Sequence, residues 1–306
     1  MRTIAIGFAM VLLLTIAGTS VRSQESEYSR KGADTCLSCH DNTATLAIFK
    51  TAHAVPSDSR GPFGHGQLQC EACHGPGDSH AGRIRRGEAR PPIFAFAADS
   101  TAAIESQNGM CLECHGSDVG FGWHNGAHPS DEVACSDCHN SHASSDAVLH
   151  VATQPEVCGN CHRLQRNDTM KAFTHPIFED KMTCTGCHST HTDDIANVMA
   201  RSTVNDTCID CHAEKRGPYL WEHAPVSEDC GLCHAPHGSN HSGMLTKRAP
   251  LLCQGCHAQS GHPSIAYGTD GLASNMPSQF LLGQSCMNCH SQVHGSNHPS
   301  GSKLMR

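Results

Sequence analysis

One apolar run opens the chain, and nothing like it recurs. Ile4 to Ala17 is almost unbroken hydrophobic sequence behind a single early cation, Arg2, and it gives way to the small and polar residues Ala17-Gly18-Thr19-Ser20 and Val21-Arg22-Ser23. A membrane-spanning helix needs roughly 20 apolar residues, so this shorter run predicts a secretory leader (residues 1–23) cut near Ser20 or Ser23 rather than an anchor. Beyond it, apolar positions follow neither the 3.6-residue period of an amphipathic helix nor the alternation of a strand. Gly, Pro, Ser and Asn interrupt the pattern throughout. Short helices are all it predicts: one beginning at Pro155-Glu156-Val157, where proline suits a first turn, and one over Thr43 to His53. The longest later apolar stretch, Pro91 to Ala98, is far too short to cross a bilayer.

Composition makes an ordinary core untenable. Only 38% of the 306 residues are hydrophobic and 5% aromatic, against 20 cysteines and 25 histidines. Every cysteine falls in a Cys-x-x-Cys-His string. The pairs are Cys36 and Cys39, Cys70 and Cys73, Cys111 and Cys114, Cys135 and Cys138, and Cys158 and Cys161. They continue with Cys184 and Cys187, Cys208 and Cys211, Cys230 and Cys233, Cys253 and Cys256, and Cys286 and Cys289. Two thiols three residues apart can bond the two vinyl groups along one haem edge, and the next residue's imidazole then lies under the iron. The proximal ligands so predicted are His40, His74, His115, His139, His162, His188, His212, His234, His257 and His290. Zinc ribbons have no reason to place histidine after every pair, thioredoxin-like motifs are normally single, and disulfides do not require the trailing histidine. The count predicts ten covalently bound haem c groups.

Fifteen histidines remain, and their placement is patterned. His128, His175 and His223 precede the fourth, sixth and eighth strings by seven, nine and seven residues, and His142, His191 and His237 follow the same strings' histidines by three. Stretched, the arrangement fits both ends: His53 and His80 flank the second string, and His262 and His294 the tenth. The chain therefore divides into five two-haem units opening at Cys36, Cys111, Cys158, Cys208 and Cys253, a repeat supplying two spare imidazoles for every two haems. These ten are the expected distal ligands, and the pattern leaves open which haem each one serves. His294 and His298 are the two ends of a His-Gly-Ser-Asn-His string that recurs at His237 to His241, and His294 is preferred because His237 occupies the repeated position. His65, His124, His150, His241 and His298 read as surface or propionate-bonding residues.

A formal charge of −8 argues against a nucleic-acid partner. Each ferric haem with two propionates would add about −1. Arg83, Arg85, Arg86 and Arg90 form a local basic cluster, read as a solvated loop before propionate pairing or docking of an acidic partner. Removing 23 leader residues leaves 283, about 28 for each haem. So little polypeptide predicts a mostly irregular chain with short α-helices, wrapped around an elongated row of ten haems that supply the missing apolar interior.

Ten such strings behind a leader resemble the MtrA/DmsE family of periplasmic decahaem c-type cytochromes. Leu220-Trp221-Glu222-His223-Ala224-Pro225 and the stretch from Cys286 to Gly301 look typical of it. The resemblance spans essentially the whole chain after the leader. It implies two pentahaem halves, here residues 24–165 and 166–306, with bis-histidine ligation and no catalytic residue. It further implies periplasmic location with insertion into an outer-membrane β-barrel protein. The implied donors are periplasmic or inner-membrane cytochromes. The implied acceptors are a surface multihaem cytochrome handling metal oxides or a surface dimethyl sulfoxide reductase. Two alternatives remain: a multihaem reductase for nitrite, hydroxylamine or a sulfur compound, which would need an open iron position, and a soluble periplasmic shuttle.

Overall fold

A computed structural model describes residues 27–96, 100–119, 123–192, 198–257, 286–299 and 301–305. The expected leader and His262 lie outside these residues, as do the last two positions of the 91–98 stretch. Among the described residues there are twelve short α-helices, interspersed with 3-10 turns, and no β-strand beyond isolated bridges. The fold is mostly irregular with short helices, as the sequence leads one to expect.

The haem-binding strings are themselves the main source of helix. In nine of them the histidine N–H donates to the carbonyl of the first cysteine at 2.8–3.0 Å, and the tenth, at Cys111, lies inside Ile104–Val119. One helical turn puts residues i, i+3 and i+4 on one face, so both thiols and the imidazole of each string share a side. The proline at position 155 does fall in the first turn of a helix, Gln154–Gly159. The expected helix from Thr43 to His53 is instead three pieces, Thr43–Leu46, Ala47–Lys50 and Ala52–Ala54. Thr51 takes an extended conformation that ends the turn before it, and its hydroxyl then caps the next by accepting from His53 N–H.

Amide side chains tie the two strings of a unit together. Asn108, three residues before Cys111, accepts the N–H of Cys135 at 2.8 Å and donates to the Val133 carbonyl at 3.1 Å. Asn205, three before Cys208, accepts the N–H of Cys230 at 2.8 Å and donates to Val226 at 2.9 Å. Gln154 plays the same part for Thr185 and Val148. Asn108 and Gln154 are buried, where an amide satisfied at both ends is worth much more than a surface one.

An apolar core is nearly absent. The buried hydrophobic residues among those described are Ala33, Ile48, Trp123 and Ala134, while sixteen large hydrophobics are exposed, including Leu149 at 70% and Leu164 at 75%. Four small or isolated buried groups cannot offset the roughly 1–2 kcal/mol per residue of backbone ordering. The protein without haem is therefore expected to be unfolded. Expressed without haem attachment, it should be digested by protease with no persistent fragment and show no cooperative thermal transition by circular dichroism.

Candidate metal centres

A single continuous cavity of about 5310 Å³ runs through the protein, and all ten Cys-x-x-Cys-His strings line it. Divided among ten strings, that is about 530 Å³ each, inside the roughly 300–1,000 Å³ range of a pocket for one cofactor-sized ligand. The cavity is thus the interior that the composition lacks.

The strings follow one another along it in chain order. Within units, first cysteines meet: the Sγ atoms of Cys36 and Cys70, of Cys111 and Cys135, of Cys158 and Cys184, of Cys208 and Cys230, and of Cys253 and Cys286 are hydrogen-bonding neighbours. Between units, second cysteines approach: Cys73 the string of Cys111 and Cys114, Cys138 Cys161, Cys187 Cys211, and Cys233 Cys256. Burial, aided by the neighbouring thiol, pushes the Cys70 thiol up to about 11, and those of Cys208 and Cys253 likewise to about 11. In the tightly paired Cys158 and Cys184, the shared hydrogen bond raises the first and lowers the second to about 7.

The expected histidines come together in pairs. Nine imidazoles that follow a cysteine pair each face one of the spare imidazoles, with ring centroids 5.8–6.3 Å apart. A metal about 2 Å from the near nitrogen of each ring would hold the centroids about 6 Å apart. The gaps therefore fit one iron each. In chain order of strings the pairs are His40 with His80, His74 with His142, His115 with His53, His139 with His191, and His162 with His128. Next come His188 with His237, His212 with His175, His234 with His294, and His257 with His223. Nine of the ten histidines expected as distal ligands thus face a string histidine. His262 lies outside the described residues.

The pairing obeys a rule the sequence left open. A histidine preceding an even string faces the imidazole of the next unit's first string, as His175 does with His212. A histidine following an even string faces the second string of the unit before, as His237 does with His188. Apart from His80 at the beginning, every pair joins two units. His80, at its stretched spacing, faces the first string of its own unit.

Short segments hold these crossings in register. Phe173 and Ser239 exchange two backbone hydrogen bonds, at 2.9 and 2.8 Å, and Trp221 and Ser296 do the same at 2.8 and 2.9 Å. Each bridge lies two residues from a preceding histidine, His175 or His223, and two from a following one, His237 or His294. The Nδ1 atoms of His128, His175 and His223 donate to the carbonyls of Thr190, Pro236 and Val293 at 3.3, 2.9 and 2.8 Å, each immediately before a following histidine. Because a carbonyl only accepts, Nδ1 must carry the proton, leaving the Nε2 lone pair for a metal. Gly238, at φ 140°, is required here, since a Cβ would fall on the Asp168 carbonyl. Gly295, at φ 128°, is confined likewise by the Tyr219 ring. The string His-Gly-Ser-Asn-His is therefore a crossing device. Its first histidine pairs, its glycine permits close approach, and its serine makes the bridge and accepts from the N–H of the last histidine at 3.0 and 3.1 Å. His298 offers its carbonyl to the Trp221 indole at 2.8 Å, so the two family-typical stretches pack on each other.

Burial lowers the protonation tendency of His53, His142, His191, His237 and His294, and in each the facing imidazole adds to it. Two close imidazoles cannot both hold a charge, and the neutral form is the one that ligates. Of the five histidines set aside, His150 bonds Ser145 Oγ at 2.6 Å. The four arginines occupy an exposed loop whose ends Arg90 closes by donating to the His80 and Gly82 carbonyls at 2.7 and 3.1 Å.

Comparison with known proteins points to the same Cys-x-x-Cys-His chemistry. A family model described as a doubled CXXCH motif matches residues 175–217 and 223–262, and one described as a cytochrome c-type protein NrfB-like matches residues 70–155. The multiheme cytochrome MtrA of Shewanella baltica (strain OS185) is 47% identical over 285 residues, covering 92% of this chain and 84% of its own.

The ring planes supply a test. They lie within 24° of parallel for the first, sixth, eighth and ninth strings but at 73–89° for the second, third and fifth. Parallel imidazoles split the two iron orbitals that interact with them, whereas perpendicular ones leave them nearly degenerate. The ferric protein should therefore show both rhombic and large-g-max low-spin resonances in electron paramagnetic resonance. A single class of signal would contradict the angles.

Proposed function

This chain belongs to the family of multihaem c-type cytochromes that includes MtrA, and we propose that it is the ten-haem wire of an electron conduit across the outer membrane. It binds haem c covalently through its Cys-x-x-Cys-His strings and transfers electrons; it is not an enzyme. The proposal adds the number, the ligands and the place.

The observation that carries it is the unbroken succession of sites. Strings adjoin in chain order from Cys36 to Cys286, and a second imidazole stands opposite nine of the ten string histidines. When bound, the group at each site supplies one-electron ferric–ferrous exchange without an open coordination position. The chain's part is to fix both imidazoles, through the helical turn of the string on one side and the crossing segment on the other. Fixed ligands keep geometry constant between oxidation states, which favours fast exchange. The same fixation disfavours the reductase alternative, which needs a position for substrate.

On this reading His53, His80, His128, His142, His175, His191, His223, His237, His262 and His294 are the distal ligands. The halves 24–165 and 166–306 hold five strings each. They are not independent, because His191 of the second half faces His139 of the first.

Among the described residues no helix is long and apolar enough to cross a membrane, and irregular backbone cannot face lipid. A wire that passes electrons across the outer membrane must then sit inside a β-barrel protein. Its exchange partners would be periplasmic or inner-membrane cytochromes on one side. On the other would be a surface multihaem cytochrome or a dimethyl sulfoxide reductase. Detergent extraction of the native cell should recover the chain bound to a β-barrel protein, and deletion of that barrel should abolish electron transfer to external acceptors. Recovery as a free monomer, with external transfer undiminished in barrel-deleted cells, would overturn the conduit.

A further inference from the structure

At the fourth site, attached at Cys135 and Cys138, a carboxylate holds the string histidine. Nδ1 of His139 lies 2.7 Å from Asp146 Oδ2. The other carboxylate oxygen accepts the N–H of Asn140 at 3.3 Å, so the carboxylate is fixed at both ends. Its side chain is only 17% exposed. Seven other site imidazoles, His74 and His234 among them, give the Nδ1 proton to a neutral backbone carbonyl. His212 has a carboxylate nearby, Glu214, but at 3.7 Å and well exposed, where hydrogen bonding is lost and water screens the charge.

We propose that Asp146 is a positioning residue that makes the fourth haem the lowest-potential point of the wire. The inference rests on the ten-haem, bis-histidine reading above. Two effects act with the same sign. A carboxylate attracts the Nδ1 proton more strongly than a carbonyl does, which raises the electron density that Nε2 offers the iron. Its negative charge also favours ferric iron, the more positive state, over ferrous. Both lower the potential. The fourth haem then fills last on reduction and empties first on oxidation. Electrons moving between the two ends must climb through it, close to the boundary between the two halves.

The test uses the full-length haem-loaded protein, with haem content established by intact mass and spin state by magnetic circular dichroism. Spectropotentiometric titration compares the parent with Asp146→Asn and Asp146→Glu. In Asp146→Asn the amide oxygen can still accept the proton but carries no charge. The last tenth of the absorbance change on reduction should move to higher potential, leaving the other nine parts in place. Asp146→Glu should restore most of the parent profile. A purely structural role would displace several haems together or lose haem, and glutamate would not rescue a charge effect that did not exist. Ten low-spin haems with superimposable titrations, or a shift spread over many haems, would overturn the inference alone. Fewer than ten haems, or a stoichiometric high-spin haem in the parent, would overturn the reading of function beneath it.

Discussion

Two imidazoles from neighbouring repeats facing each other across a gap of about 6 Å fix how close the repeats lie and in what order. No repeat completes its own interior sites. Each sends one histidine forward and one back, and receives one from either side. A two-haem unit consequently has no meaning alone, much as one repeat of a solenoid cannot bury its own face. The first unit departs from the rule: His80 folds back onto the first string.

Local chemistry follows from that constraint. Two backbones must cross wherever histidines are exchanged, and the crossings after the second, third and fourth units are each stapled by an imidazole-to-carbonyl hydrogen bond. In the last two, glycine stands where any side chain would collide and serine completes the bridge. Within units, Asn108, Gln154 and Asn205 do the equivalent work between strings. Directional polar contacts thereby take over the role that interlocking apolar side chains have in most proteins. The space left between them, rather than any packed core, is the interior.

What was legible in the sequence is what is local. A Cys-x-x-Cys-His string needs one helical turn and no tertiary information, so all ten could be read directly. The distal candidates stand out because they recur, one before and one after each even string, at similar though not identical offsets. Their pairing could not, since the members of a pair lie 34 to 68 residues apart and nothing in the spacing distinguishes a partner in the same unit from one in the next. The helix Ile104–Val119 escaped notice because its sequence carries no apolar stripe; buried Gln107 and Asn108 and the attached site define its inner face. Two further signals are present in the sequence: an asparagine three residues before both Cys111 and Cys208, and the glycine and serine common to the two His-Gly-Ser-Asn-His strings. Asp146 had no signal, because one carboxylate seven residues past a histidine is ordinary until the loop between them closes.

Electron transfer along such a chain requires neighbouring haems held close in a fixed order, and imidazoles exchanged between repeats would achieve both at once. The direct measurement is to remove one exchanged ligand and ask which haem loses it. Substituting His191→Ala in the full-length ferric protein should create one high-spin haem in electron paramagnetic resonance. Adding Cys135→Ser and Cys138→Ser, which deletes the fourth haem, should abolish that signal, whereas adding Cys184→Ser and Cys187→Ser, which deletes the haem beside His191 in sequence, should leave it. Loss of the signal with the sixth haem rather than the fourth would contradict ligand exchange between repeats.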